Sequence, residues 1–189
     1  MKKLEVSVIY QSLHGHTEVI AKAIQQGVTE VNESKANLIK VNNEGKISEI
    51  DWQTLKRSQA IIFGAPTYMG SLPGAFKFFM DSTSKIWSEQ KWKDKIAGGF
   101  TNSGGLSGDK LSSLLQLVIF AEQHSMIWVG NDIITEESES LGSLNRLTSF
   151  VGIMSQSDQG ASEITPPLGD INTARLYGQR IAKITLKFV

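Results

Sequence analysis

Short apolar runs that alternate with helix-length amphipathic stretches constrain this chain more than any other feature. Leu4-Glu5-Val6-Ser7-Val8-Ile9-Tyr10 alternates apolar and polar residues and then turns continuously apolar, as a strand entering a core does. From Thr17 the apolar residues recur at Val19/Ile20, Ala23/Ile24, Gly27/Val28 and Val31, which is one face of a helix. Asn37-Leu38-Ile39-Lys40-Val41 predicts a second strand, and residues 51–57 a short helix capped by Ser48 or Asp51. The unbroken apolar run at 59–64 predicts a buried third strand. A helix follows over 74–87, a fourth strand over 95–101, a helix over 109–124 and the start of a fifth strand over 125–129. Residues 130–149 read as an inserted polar excursion, after which 149–154 resume the interrupted strand. Residues 155–169 then form a loop and 171–188 a closing helix. Strands alternating with helices imply an α/β fold built on a parallel sheet covered on both faces.

At 189 residues the chain suits one domain spanning 1–189. Lys+Arg and Asp+Glu both number 19, so no field of one sign attracts nucleic acid or an anionic membrane, and the cations are scattered. The absence of cysteine excludes disulfides, thiolate catalysis and cysteine metal sites. Met1-Lys2-Lys3 opens like a signal peptide, but Glu5 and Ser7 break the apolar stretch that should follow. The longest apolar run, 114–121, contains Gln116 and is too short to span a bilayer. The expectation is a cytoplasmic protein that engages neither membrane nor nucleic acid.

In a parallel α/β sheet the loops after the strands emerge at one edge, where ligands bind. The first such loop, Gln11-Ser12-Leu13-His14-Gly15-His16-Thr17, opens a helix whose unpaired amides and positive dipole end favour a phosphate. Ser12, Thr17 and His14 or His16 add donors, and Gly15 allows close backbone approach. The loop contains no Lys or Arg. It matches neither the Walker loop nor the Gly-x-Gly-x-x-Gly fingerprint, which turns the reading towards a terminal phosphate monoester. His14 and His16 lack helical metal-ligand spacing, so no metal is expected. The second loop, Gly64-Ala65-Pro66-Thr67-Tyr68-Met69-Gly70-Ser71-Leu72-Pro73, can wall a flat ring. The third, Thr101-Asn102-Ser103-Gly104-Gly105-Leu106-Ser107-Gly108, can wrap the pyrimidine end of a flavin and donate to N1 and O2. Taken singly, the first also reads as a capped turn and the second as a strand-to-helix turn, while the third by itself reads better as a flexible linker. Three at one sheet edge suit flavin mononucleotide.

Ser12 to Thr17, the run from Ile61 to Gly70 and Phe100-Thr101-Asn102-Ser103-Gly104-Gly105 resemble the flavodoxin-like FMN proteins. Among these the chain is most similar to the WrbA-type NAD(P)H:quinone oxidoreductases. Residues 81–87 and 121–127 and Ile171-Asn172-Thr173-Ala174-Arg175-Leu176-Tyr177-Gly178 extend the likeness nearly end to end. The resemblance implies a flavodoxin-like three-layer sandwich with a five-stranded parallel sheet, order 2-1-3-4-5, its fifth strand interrupted by an insertion. It implies FMN at the switch point between the first and third strands, held at the phosphate by Ser12, Leu13, His14, Gly15, His16 and Thr17. Pro66, Thr67, Tyr68 and Met69 would contact the ring, and Asn102, Ser103, Gly104, Gly105, Leu106 and Ser107 the pyrimidine side.

It further implies two-electron transfer from NADH or NADPH through FMN to quinones in a ping-pong cycle, by a dimer or tetramer. Trp87 and His124 match an aromatic and a histidine lining the family's ring pocket, and with Tyr68 they are the catalytic candidates. Both end helices that run back from the ligand edge, so within one subunit they should lie far from the flavin and could meet only a neighbour's. Trp87 is equally a packing tryptophan and His124 a helix cap. The chain departs from the family in carrying Tyr68 where close members carry Arg, in Asn102 and Leu106, and in a shorter stretch between Val41 and Asp51. A flavodoxin-type electron carrier and a non-catalytic FMN-binding partner protein are the alternatives.

Overall fold

The expected alternation of strand and helix is realised in a computed structural model that describes residues 3–135 and 140–188. β1 (Leu4–Tyr10), α1 (His16–Thr29), β2 (Ser34–Lys40), α2 (Glu49–Arg57) and β3 (Ala60–Pro66) form the first half. α3 (Gly74–Ser82), α4 (Ser84–Ser88), β4 (Ile96–Ser103), α5 (Lys110–Gln123), β5 (Ile127–Trp128), β6 (Ile153–Gln156) and α6 (Leu168–Thr185) follow. The strands run in the order β2-β1-β3-β4-β5, all parallel, with β6 also on β4.

β5 and β6 are the two halves of the interrupted fifth strand. β4 pairs its start with β5 (Ile96 with Ile127) and its end with β6 (Phe100 with Ile153). The excursion between them leaves and returns at one place, because Asn131 pins its base. The Asn131 N–H donates to the Phe150 carbonyl and its Nδ2 to the Ser149 carbonyl, both at 2.9 Å. Residues 136–139 of the excursion lie outside the described residues.

β3 is apolar on both faces, as burial on both sides requires, while β1 is apolar on one face and carries buried Glu5 and Ser7 beside Ile9 on the other. Val6, Val8 and Ile62 pack with Ile20, Ile24, Ala174, Tyr177 and Ile181 beneath α1 and α6. Ile61, Phe63 and Ala65 face Leu55, Phe76, Trp92, Leu117 and Phe120 beneath α2, α3 and α5. On the first face α1 and α6 touch backbone to backbone. A Cβ on Gly27 would stand 1.7 Å from the Arg175 carbonyl oxygen, and one on Gly178 would stand 2.1 Å from that of Ile24.

Several boundaries differ from the sequence-based expectation for local reasons. β2 begins at Ser34, three residues early, because Leu4 to Val6 pair with Ser34 to Ala36 and override their weak strand propensity. α2 starts at a capping box that uses both expected residues: Ser48 Oγ accepts from the Asp51 N–H, and Asp51 Oδ2 accepts from the Ser48 N–H. The helix expected over 74–87 is broken at Thr83, whose hydroxyl donates to the Met80 carbonyl (2.6 Å) and interrupts the helical ladder. Among the described residues no helix is long and apolar enough to cross a membrane.

Candidate functional site

The C-terminal ends of β1, β3, β4 and β6 open onto one cleft of about 620 Å³, within the range that small-molecule sites occupy. Parallel pairing brings these ends together: Tyr10 lies beside Gly64, and Pro66 beside Asn102. The three loops singled out in the sequence therefore meet, at the crevice where the sheet order reverses.

The loop after β1 is shaped around Gly15, the N-cap of α1, whose φ of 88° is left-handed. Ser12 Oγ accepts from the Gly15 N–H at 3.1 Å and holds the turn closed. No side chain caps α1, so the amides of its first turn keep no intrahelical acceptor and face the cleft mouth with Ser12 and Thr17. Among the described residues no lysine or arginine lines the cleft, and Asp158 is its one carboxylate. An anion bound here would be held by amide dipoles and hydroxyls.

Pro66, Thr67 and Tyr68 form the second wall. Thr67 is locked from behind: its N–H donates to the Asn102 carbonyl, and its hydroxyl lies 2.8 Å from both Thr101 Oγ1 and Ser113 Oγ. Tyr68 and Ser71 exchange backbone hydrogen bonds at 2.9 and 3.1 Å, which closes a tight turn and leaves the Tyr68 ring 38% exposed. Partial burial raises the Tyr68 phenol above its ordinary value, so at neutral pH it is a neutral donor. Met69, at the tip of this turn, is fully exposed and does not line the cleft.

Asn102, Ser103 and Gly104 supply the third wall. Asn102 Oδ1 accepts from Ser155 Oγ (2.7 Å) and Ser157 Oγ (2.9 Å), which leaves the amide NH2 of the same side chain as the donor for a ligand. Gly105 is exposed on this loop but stands back from the cleft, whereas Leu106 and Ser107 border a separate groove beside Leu147 and Thr148.

A fourth wall, Ser157-Asp158-Gln159-Gly160-Ala161-Ser162, completes the cleft. The Ser157 N–H donates to the Ser103 carbonyl at 3.1 Å, and His16 Nε2 donates to the Gly160 carbonyl at 2.8 Å. This segment thus ties the first loop to the third. Sequence reasoning assigned it no role, although it has the Ser/Asp/Gly composition of its neighbours and follows a strand that was expected. The strand-end rule applied to the resumed fifth strand would have found it.

Trp87 and His124 do not reach this cleft. They share a second, more open one with Met80, Thr83, Ile119 and Phe120, at the far end of α4 and α5. His124 is 4% exposed and packs against Trp92 and Phe120 with ring centroids at 4.6 and 4.9 Å. Burial pushes its imidazole down to about 4, so it is neutral at pH 7. The single Thr83 hydroxyl proton goes to the Met80 carbonyl, so His124 Nε2–H donates to Thr83 Oγ1 at 2.9 Å. Nδ1 is left a buried acceptor without a partner among the described residues. Trp87 by contrast is 51% exposed.

A doubly wound parallel sheet with a cation-free, amide-rich cleft at its switch point defines a flavodoxin-like protein, and the features of the cleft fit FMN. An uncapped helix start suits the phosphate, a partly exposed aromatic face the ring, and neutral donors the pyrimidine edge.

Comparison with known proteins makes the class specific. Residues 5–139 match the family model described as NADPH-dependent FMN reductase. A flavodoxin, FldP, of Pseudomonas aeruginosa is 41% identical over 94% of both chains. An NAD(P)H dehydrogenase (quinone) of Archaeoglobus fulgidus is 28% identical over 96% of this chain and 97% of its own. A crystal structure of the flavodoxin, WrbA-like protein from Agrobacterium tumefaciens superposes with a TM-score of 0.78 at 40% identity, over 98% of this chain and 99% of that one. The chain belongs to this family of flavodoxin-like FMN oxidoreductases and, within it, to the WrbA type.

Proposed function

We propose that the chain is a cytoplasmic FMN-dependent NAD(P)H:quinone oxidoreductase. The observation that carries this reading is the cleft itself: four strand-end loops enclose a cofactor-sized space with an uncapped helix start at one end and an open aromatic face at the other. Relatives over nearly the whole chain named NAD(P)H dehydrogenase (quinone) support the donor and acceptor classes. Bound FMN would supply the two-electron chemistry. The chain's own residues would do the rest. Ser12 to Thr17 bind the phosphate, and Pro66, Thr67 and Tyr68 border the ring. Asn102, Ser103 and Gly104 line its pyrimidine side and shed water from it. One open face beside Tyr68 would receive the nicotinamide and then the quinone, which is the geometric basis of a ping-pong cycle. The neutral Tyr68 phenol can hold a proton near a quinone oxygen.

In the same reading Trp87 and His124 act across an interface. The outer face of α3, α4 and α5 exposes Phe78, Trp87, Leu115 and Ile119, an apolar surface suited to a second copy in a dimer or tetramer. Sedimentation of wild type against Ile119→Glu tests this, with a monomeric wild type as the refuting result. The activity is tested by saturating the purified protein with FMN and following NADH and NADPH oxidation with benzoquinone. Parallel double-reciprocal lines are expected, and no turnover with either nicotinamide would defeat the assignment. The name of the 41% identical relative favours one second reading, an electron carrier. A potentiometric titration separates the two: the oxidoreductase gives a single two-electron wave, the carrier two resolved one-electron waves.

A further inference from the structure

The cleft has no cation in its walls, yet one stands directly behind them. Lys110, the first residue of α5, is completely buried at 0% exposure. Its Nζ donates to Ser103 Oγ at 3.0 Å and to the Gly105 carbonyl at 2.5 Å, both on the third loop. Among the described residues no carboxylate lies within ion-pair distance of it. The carboxylate that supports its charged form, Asp170, is engaged side-on by Arg146 at 2.8 and 3.0 Å. Lys110, Arg146 and Asp170 together therefore leave one positive charge in excess.

Burying an ammonium without a counter-ion is strongly unfavourable, and buried charges are ordinarily paired. Burial pushes Lys110 down to about 8; Asp170 partly supports the charged form and Arg146 opposes it. At neutral pH the ammonium still predominates. Neutral oxygens share its protons without neutralising it.

Ser103 gives that charge a route into the cleft. Ser103 is one of the residues lining the cleft, and its hydroxyl accepts from Lys110 Nζ. The hydroxyl donates to the Gly105 carbonyl over a long 3.3 Å, and that carbonyl also accepts from Lys110, so a ligand acceptor in the cleft can compete for the Ser103 proton.

We propose that Lys110 is a positioning residue whose missing counter-ion is the anionic pyrimidine edge of two-electron-reduced FMN, reached through the Ser103 hydroxyl. This rests on the reading that the cleft binds FMN. The nicotinamide donor loses two electrons and a proton, which arrive at N5, and the ring gains one negative charge shared by N1 and O2. Lys110 keeps its proton throughout and lowers the energy of the charged ring. Oxidised FMN carries no such ring charge, so the lysine discriminates between the two oxidation levels.

The test is FMN binding in both oxidation states, measured anaerobically by titration on wild type, Lys110→Met, Lys110→Arg and Ser103→Ala, together with the midpoint potential. In Lys110→Met the reduced form should weaken about tenfold more than the oxidised form, which for a two-electron couple lowers the potential by about 30 mV. Lys110→Arg should hold the wild-type ratio, and Ser103→Ala should lose part of it. Equal weakening of both forms in Lys110→Met would make the lysine a loop clamp only and overturn the proposal. If that variant does not fold, an unchanged ratio in Ser103→Ala refutes the route. A wild type that binds neither form ends the cofactor reading itself, a different result from intact binding with an unmoved ratio.

Discussion

Replacing Gly15 by alanine isolates what the loop after β1 requires of its backbone. An L-residue held in a left-handed conformation costs about 1–2 kcal/mol, and Gly15 sits at φ 88°. The new Cβ would also meet Ser162 Oγ at 2.8 Å and Ser162 Cβ at 3.0 Å. Serine can turn aside from that contact at about 0.5–1.5 kcal/mol if it leaves its preferred rotamer. The sum is between about 1.5 and 3.5 kcal/mol, and it must appear somewhere. If the loop stays as it is, urea unfolding records the whole loss. If the loop relaxes, the free protein recovers stability, but FMN must restore the conformation, and affinity falls by up to about 300-fold. The two losses should therefore add to a constant. Paired urea denaturation and FMN fluorescence quenching measure both, and Gly15→Ala/Ser162→Gly should recover the steric part while leaving the backbone part. Stability and affinity both within 0.5 kcal/mol of wild type, a margin of about the usual surface effect, would show that neither strain nor the Ser162 contact shapes this site.

The Arg146–Asp170 pair is nearly buried, with side chains 8% and 2% exposed. Arg146→Met alone should cost about 3–5 kcal/mol in urea unfolding, whereas Arg146→Met/Asp170→Leu should regain most of it. Gly27→Ala, whose Cβ would fall 1.7 Å from the Arg175 carbonyl oxygen, should force α1 and α6 apart and cost about 3 kcal/mol or more. A melting-temperature loss of only a degree or two would contradict that packing. His124 has its folded-state value lowered to about 4 from the ordinary 6.5. The unfolded chain therefore takes up a proton first as pH falls. Stability should decline from about pH 6.5 towards about pH 4, by up to about 3 kcal/mol, and level off below. His124→Gln should flatten that limb in a pH series of urea melts.

The layered fold and most of the cleft were legible in the sequence because both depend on local pattern. Apolar runs such as Ile61-Ile62-Phe63 can be satisfied only by burial on two sides, and a helical face at Ile20, Ala23, Ile24 and Val28 follows from spacing alone. Strand-end loops rich in Ser, Thr and Gly then have to gather at one edge, which is how Ser12, Thr67 and Asn102 come to face one another. Lys110 was not legible, since a lysine opening a helix after a polar loop has the local signature of a solvated residue. Only the docking of α5 against the third loop, with Arg146 and Asp170 beyond it, removes it from water. The same holds for the break at Thr83 and for the wall from Ser157 to Ser162.

What the sequence alone determined was thus the order of elements and the neutral, amide-based character of the loop after β1, because dipoles and hydroxyls belong to the segments that carry them. What only the tertiary structure decided was which charges are buried and what they face. Desolvation depends on residues far apart in the chain, such as Arg146 and Asp170, and no local pattern records that proximity.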